Sequence, residues 1–461
     1  MQLLDKEFYK GKNILVLGLG KSGVAAAKLL HATGANVTVN DMKAADVVDQ
    51  EQLKTLKDLN IKVVLGHHPP DIVTENIDYV VKNPGIPYSV SPLKEAARLQ
   101  IPMITEIELA YSLVDGNFIG ITGSNGKTTT TALTGEILKN DGLNPFIGGN
   151  IGIPLSKIVL EEYQQFNRYP TVLELSSFQL QGTINFRPNI AAIINMYETH
   201  LDYHGTMEDY ISAKSMIFKN QTKEDHLVLN ADQSIFCKFL DSIKSEIIWC
   251  SRINPKQLGV VIDNDEIVYR TELKKEPVCS IYELAIPGEH NLENALFASA
   301  ISLLKGVKSD VIRETLMSFK GVEHRLELVG TIDNVTYYND SKATNQQATI
   351  RALQSFNKPI ILIAGGLDRG NEFEEIIEAF RTKVKTLIVY GETAKKMIST
   401  GQKAGINKCI NVNNLEEAVK EAKILAEPLD TVVLSPACAS WDMFPSFEVR
   451  GNMFKQYVLD N

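Results

Sequence analysis

With 461 residues, 44% of them hydrophobic, and a formal net charge of -9, the chain is long enough for two to four domains with cores of their own and advertises no basic face for nucleic acid. Its five cysteines, Cys237, Cys250, Cys279, Cys409 and Cys438, are widely spaced and form no CxxC pair, which disfavours a disulfide framework or a zinc site and fits reduced thiols in a cytoplasmic protein. Charges run through Met1 to Asn13, where a signal peptide needs an apolar stretch, and no run of about 18 apolar residues follows, so no membrane partner is expected.

The apolar run from Asn13 to Leu17 enters Gly18-Leu19-Gly20-Lys21-Ser22-Gly23 and then a helix-forming stretch, Val24 to Leu30; Asp41 closes the next strand, which begins at Asn36. This fits a dinucleotide-binding fingerprint, with glycines for the turn, a diphosphate at the helix start and an acid for a ribose or base edge. By itself it serves NAD or another nucleotide equally. Apolar runs from Lys62 to Leu65 and from Tyr79 to Val81 continue the alternation, the second ending in the rigid loop Asn83-Pro84-Gly85-Ile86-Pro87. A parallel sheet follows, and a run from Ile101 to Ile104 leading into Glu106 to Val114 sets the first domain at 1–106.

In the second domain, 107–321, Phe118 and Ile119 run into Gly120-Ile121-Thr122-Gly123-Ser124-Asn125-Gly126-Lys127-Thr128-Thr129-Thr130. Strand, tight loop and helix start make a phosphate cradle, in which backbone N–H groups and the helix dipole face one anion. Lys127 reaches the β- and γ-phosphates and the Thr128 hydroxyl ligates Mg²⁺. The common P-loop has Gly six positions before the Lys; here Ile121 stands there, and the upstream glycines are Gly120 and Gly123. Gly148-Gly149-Asn150-Ile151-Gly152 is a second loop suited to close ligand approach, and a strand from Thr171 delivers Glu174, an acid placed to hold Mg²⁺.

A strand from Ile190 to Asn195 brings Glu198-Thr199-His200-Leu201-Asp202-Tyr203-His204 to the same rim. Histidines four apart suggest a metal helix, but a zincin needs Glu directly after the first His, and Leu201 stands there. His200 is kept as a metal ligand and His204 as a structural residue. Lys214, in Ser212-Ala213-Lys214-Ser215, reads from spacing alone as a solvated amine. Pro287-Gly288-Glu289-His290-Asn291-Leu292-Glu293-Asn294 opens a helix from Ala295 to Leu304 and suits either a nucleotide or a plain capped helix start.

The third domain, 322–461, begins with Glu323-His324-Arg325-Leu326-Glu327, a strand from Thr336 to Asn339 and the loop Asp340-Ser341-Lys342-Ala343-Thr344-Asn345. Strands from Pro359, Thr386 and Thr431 end in Gly365-Gly366-Leu367-Asp368-Arg369, in Gly391 and in Ser435-Pro436-Ala437-Cys438-Ala439-Ser440. Each hands a polar or glycine loop to one edge, where open α/β sheets bind ligands. Periodicity does not give the sheet order.

Three α/β units with an ATP cradle in the middle one resemble the Mur ligases of bacterial cell-wall synthesis over nearly the whole chain. The stretch Thr122 to Thr128 is similar to that family's ATP loop, compact glycine spacing included. Asn339 to Asn345, Ser435 to Ser440 and Phe447-Glu448-Val449-Arg450-Gly451 are similar to its D-glutamate-adding branch. The resemblance implies a Rossmann-like N-terminal domain for a UDP-substrate, a central P-loop ATPase-like domain and a C-terminal Rossmann-like domain for the amino acid, in a monomer. It implies that ATP activates the carboxylate of UDP-N-acetylmuramoyl-L-alanine as an acyl phosphate, which the amine of D-glutamate attacks.

By the same resemblance, Gly20, Lys21, Ser22 and Gly23 sit at the diphosphate, Asp41 faces the uracil end, and Asn83, Gly85 and Asn150 line the UDP-substrate. Gly123, Ser124, Asn125, Gly126, Lys127, Thr128 and Thr129 cradle ATP, which Asn294, Arg325, Asp340 and Lys342 also contact, with Thr344 assisting. Lys127, His200 and Lys214 form the catalytic set. Two Mg²⁺ ions are implied, one on Thr128 and Glu174, the other on His200 and a carbamylated Lys214, since a carbamate is a carboxylate-like oxygen ligand. Arg369, Ser440 and Phe447 take D-glutamate. Thr199 stands where the family often has Asp before the His, and Cys438 is expected to be a small buried thiol with no catalytic task.

Competing readings each lack a part. Folylpolyglutamate synthase shares the ATP loop but not a full N-terminal UDP-type domain. A GTPase needs Asn-Lys-x-Asp, and Asn357-Lys358-Pro359 continues with Ile360. An NAD oxidoreductase leaves the cradle unexplained.

Overall fold

The computed structural model describes residues 6–286, 288–370 and 372–460; Met1 and Pro287, named above, lie outside them. Apolar runs alternating with helices give three parallel-rich sheets. The first takes its strands in the order Lys62–Leu65, Asn36–Asp41, Asn13–Leu17, Tyr79–Lys82, Met103–Ile104, all parallel. The strand order reverses between Asn13–Leu17 and Tyr79–Lys82, so their carboxyl ends open a crevice.

The second sheet has nine strands. Phe146–Gly149, Pro170–Glu174, Asn117–Thr122, Ile190–Ile193, His226–Asn230, Glu246–Ser251 and Gly259–Asp263 lie parallel, and Glu266–Arg270 and Lys275–Ser280 finish it antiparallel. The last five of these strands have no counterpart in the sequence reading. Between Asp263 and Glu266, Asn264 and Asp265 stand at φ 51° and 61°, the two-residue turn whose twist matches that of the paired strands. Gly120, read as part of the phosphate loop, lies instead inside Asn117–Thr122, packed by Ile217 and Leu175.

Contacts divide the chain into two units, one reaching Glu283 and taking in Glu293–Leu316, the other made of Leu284–Leu292 and the chain from Met317. The first unit holds both sheets described so far. Helices Lys21–Ala32, Glu106–Tyr111 and Leu155–Glu162 lie between them and share one apolar core, including Leu29, Ile107, Ala110, Leu155 and Val159. The middle helix grips with two buried acids. Glu108 accepts the N–H groups of Ile184 (3.0 Å), Asn185 (2.8 Å) and Phe186 (3.0 Å). Glu106 accepts the Ser156 N–H at 3.3 Å, at the start of Leu155–Glu162, and burial pushes its carboxyl up to about 7.

In the second unit the sheet runs Glu327–Ile332, Val335–Asn339, Thr431–Leu434, Ile360–Gly365, Val384–Tyr390, Lys408–Asn411, parallel except for its first strand. Leu362, Val389 and Phe380 fill the core on one face, Ile361, Ile388 and Phe454 that on the other. Near-continuous apolar strands follow from burial on both faces. Among the described residues no helix is long and apolar enough to cross a membrane.

Candidate active site

At the crevice of the first sheet, helix Lys21–Ala32 starts from Gly20, whose position carries no side-chain cap. First-turn N–H groups and the helix dipole at such an end suit a diphosphate. Gly23 has no room for a side chain, because a Cβ there would stand 2.0 Å from the Gly18 carbonyl oxygen. Asn83 donates Nδ2 to Ser22 Oγ at 3.2 Å, and its Oδ1 accepts the Gly85 N–H at 3.3 Å. Asp41 accepts the N–H groups of Leu19 (2.6 Å) and Lys43 (2.8 Å), so its carboxylate holds the glycine loop in shape. Gly20, Lys21, Ser22, Gly23, Asp41, Asn83 and Gly85 therefore meet here. Asn150 bonds elsewhere, donating Nδ2 to Glu174 Oε1 at 2.7 Å.

In the second sheet, Thr122 leads through Gly123, Ser124 and Asn125 to Gly126, from which helix Lys127–Asn140 starts with Thr128 and Thr129 buried in its first turn. Gly126 has φ 80°, and a Cβ on it would stand 2.2 Å from Asn294 Oδ1; only glycine lets Asn294 come so near the loop. Asn195, just beyond the neighbouring strand Ile190–Ile193, fixes the loop: its carbonyl accepts the Ser124 N–H and its Oδ1 the Asn125 N–H, both at 2.9 Å. Its Nδ2 donates to Glu293 (2.7 Å), as Asn230 does from the next strand (2.8 Å). Lys127 Nζ folds onto the carbonyls of Gly123 (2.8 Å) and Ser124 (3.0 Å).

Glu174 ends the strand on the other side and is 1% exposed. While Oε1 accepts from Asn150, Oε2 has no hydrogen-bond partner. A buried carboxylate oxygen left so is unfavourable until a cation or donor meets it, and a hard metal ion fits it. Lys214, on helix Met207–Ser215, is equally buried, so the solvated amine read from spacing is wrong. Its Nζ donates to Gly123 O (2.8 Å) and Thr122 Oγ (3.2 Å) and lies 4.8 Å from the centre of the Tyr210 ring. Burial, aided by the charge of Lys127 and opposed by Glu174, holds its pKa well below the ordinary lysine value. The neutral amine is the form that adds carbon dioxide. Among the described residues no three His, Cys, Asp or Glu side chains form a metal-binding group.

Exposed His200 precedes the one-turn helix Leu201–His204 in a left-handed conformation, φ 57°. Its ring lies 5.2 Å from Phe178. His204 is buried, stacked on Phe178 and 2.9 Å from Ser177 Oγ. The pair is thus no two-histidine metal helix, and His204 is structural.

In the second unit, buried Asp340 accepts from Ser435 Oγ (2.7 Å) and the Leu326 N–H (3.2 Å). Burial pushes its carboxyl up to about 7, with Arg325 among the groups pulling it down. Lys342 Nζ lies 5.8 Å from the centre of the Phe447 ring, and the guanidinium of exposed Arg369 lies 5.1 Å from that of Trp441, next to buried Ser440. Asp340, Arg369 and Ser440 follow the carboxyl ends of three parallel strands and share one rim.

Three family profiles match the chain in succession: Mur ligase MurD-like N-terminal domain at residues 12–105, Mur ligase middle domain at 121–302, and Mur ligase glutamate ligase domain at 324–438. The chain belongs to the Mur ligase family. It is 46% identical over 449 residues to the UDP-N-acetylmuramoylalanine--D-glutamate ligase of Geobacillus kaustophilus (strain HTA426), with 97% of each chain covered. To the ligase of the same name from Bacillus cytotoxicus it is 48% identical over 450 residues, 98% of each chain. Its fold is that of the UDP-N-acetylmuramate-alanine ligase of Thermotoga maritima, with a TM-score of 0.57 at 20% identity over 96% of this chain and 98% of that one.

Several groups that build this Mur ligase's site escaped the sequence reading. Asn195, Asn230 and Glu293 carry the phosphate loop from below; an asparagine closing each of two neighbouring apolar strands was the available sign. Arg450, quoted within a motif and given no task, is wholly buried. Its guanidinium donates to Ser341 Oγ (2.9 Å), Ser341 O (2.8 Å) and Cys438 O (3.1 Å), tying two rim loops together. Cys438 is buried as expected, its thiol pushed up to about 11 by that burial.

Proposed function

We propose that this Mur ligase joins D-glutamate to UDP-N-acetylmuramoyl-L-alanine in peptidoglycan precursor synthesis, with ATP split to ADP and phosphate. The observation that carries this reading is the 46–48% identity to D-glutamate ligases along 97–98% of the chain. Residues 1–106 hold the UDP-substrate, 107–321 hold ATP and 322–461 the amino acid, in a cytoplasmic monomer. Gly20 to Gly23 receive the diphosphate at the helix start, with Asp41, Asn83, Gly85 and Asn150 along the rest of that substrate.

Gly123 to Thr129 cradle the triphosphate, and Lys127 leaves its two carbonyls for the γ-phosphoryl oxygens. Asn294, Arg325, Asp340 and Lys342 serve the nucleotide. The substrate carboxylate attacks the γ-phosphorus, ADP leaves, and an acyl phosphate forms; the amine of D-glutamate then adds to the acyl carbon, loses a proton and expels phosphate. Thr128 and Glu174 would hold one Mg²⁺, His200 and carbamylated Lys214 a second, and such ions supply charge neutralisation between anions that otherwise repel. The unpaired Glu174 oxygen and the buried, weakly basic Lys214 support that assignment. Arg369, Ser440 and Phe447 orient D-glutamate.

The decisive assay is phosphate release with substrate pairs. Release is expected only with UDP-N-acetylmuramoyl-L-alanine and D-glutamate together; equal turnover with L-glutamate, or none with the muramoyl substrate, overturns the reading.

A further inference from the structure

One buried lysine has no place in the chemistry above. Lys82 ends the strand Tyr79–Lys82, 1% exposed, immediately before Asn83. The contacts that hold it are neutral: Nζ donates to Pro84 O (3.1 Å) and the Tyr203 hydroxyl (3.3 Å) and lies 4.6 Å from the centre of the Tyr88 ring. Burying an ammonium among neutral groups opposes folding, so packing alone does not account for a lysine where methionine would fill the space.

Its partner Tyr203 also reaches Pro84 O (3.4 Å) and Ile86 O (3.3 Å), and so grips the crevice loop. Tyr203 belongs to Leu201–His204, and its ring packs edge-on against Phe178, which in turn touches His200. A helix of one turn does not hold its own shape. The turn that carries the left-handed His200 is gripped by His204 on Ser177 and Phe178 and by Tyr203 on the Lys82 loop.

We infer that Lys82 is a positioning residue, which through Tyr203 ties the Asn83-to-Pro87 loop of the UDP-substrate crevice to the turn that carries His200. The inference rests on the roles proposed above for that crevice and for His200. Substrate seated on the loop then steadies the histidine.

The test compares Lys82→Met, Tyr203→Phe and the double variant in the full-length enzyme. Each single change is expected to lower kcat about tenfold with KM for ATP unchanged, and the double variant to be no worse than the poorer single one, because both remove the same bridge. A readout independent of turnover is carbethoxylation of His200 by diethyl pyrocarbonate, followed by peptide mass. UDP-N-acetylmuramoyl-L-alanine should slow it in the wild type and lose that effect in the variants, whereas Lys82→Arg should keep it. Wild-type kcat and substrate protection in Lys82→Met overturn the inference, as do losses that multiply in the double variant. Should Lys82→Met fail to fold, Tyr203→Phe decides by the same two measurements. Failure of the functional reading is separate, since the wild type would then release no phosphate with the substrate pair.

Discussion

Two carbonyls hold the ammonium of Lys127 at the mouth of the Gly123-to-Thr129 loop, and this is the charge proposed above for the γ-phosphoryl group. Lys127→Ala is expected to cut turnover at least a hundredfold, about 3 kcal/mol of transition-state stabilisation; phosphate release at saturating substrates measures it, and a near-normal rate would dismiss the loop as catalytic. Beside it, Glu174 presents an oxygen that nothing else satisfies. Glu174→Gln keeps the bond from Asn150 and removes the charge, so the Mg²⁺ concentration for half-maximal rate should rise at least about tenfold, roughly 1.4 kcal/mol. For Lys214, intact-mass spectra of active enzyme in bicarbonate should carry one added carbon dioxide. An unmodified amine in that sample would remove the carbamate.

The loops at strand ends were legible because glycine, lysine and threonine there answer to geometry that few other residues satisfy. Gly23 shows the limit of tolerance: with the Gly18 oxygen 2.0 Å from any Cβ, Gly23→Ala must shift the crevice loop and should raise KM for the UDP-substrate at least about tenfold while leaving KM for ATP in place. Sheet order was not legible, since parallel strands pair across intervening helices and no local pattern names the neighbour. The strands from His226 to Ser280 are as long as those that were legible but escaped because none of them leads into a glycine loop that marks its end. Lys214 and Arg450 were opaque because spacing places a charged residue on a helix without saying what covers it. Arg450→Met should destabilise the chain by at least about 2 kcal/mol, because the buried acceptors of Ser341 and Cys438 lose their donor, and a urea transition reports that loss.

Across the whole chain the acid Glu106 reports on how the first two sheets are joined. Folded, its carboxyl titrates near 7 instead of at its ordinary 4.5, so between those values the folded protein keeps a proton the unfolded chain has lost. Stability therefore falls as pH rises through that window, and the penalty is complete above about 7. Glu106→Gln should show a smaller fall in its urea midpoint over the same range and gain on the wild type at alkaline pH; a difference that stays constant with pH contradicts this. The helix bearing Glu106 also has an evolutionary consequence. Because Ile107, Ala110, Leu155 and Val159 belong to one core, recombination that exchanged the N-terminal sheet alone would have to bring matching helix faces with it.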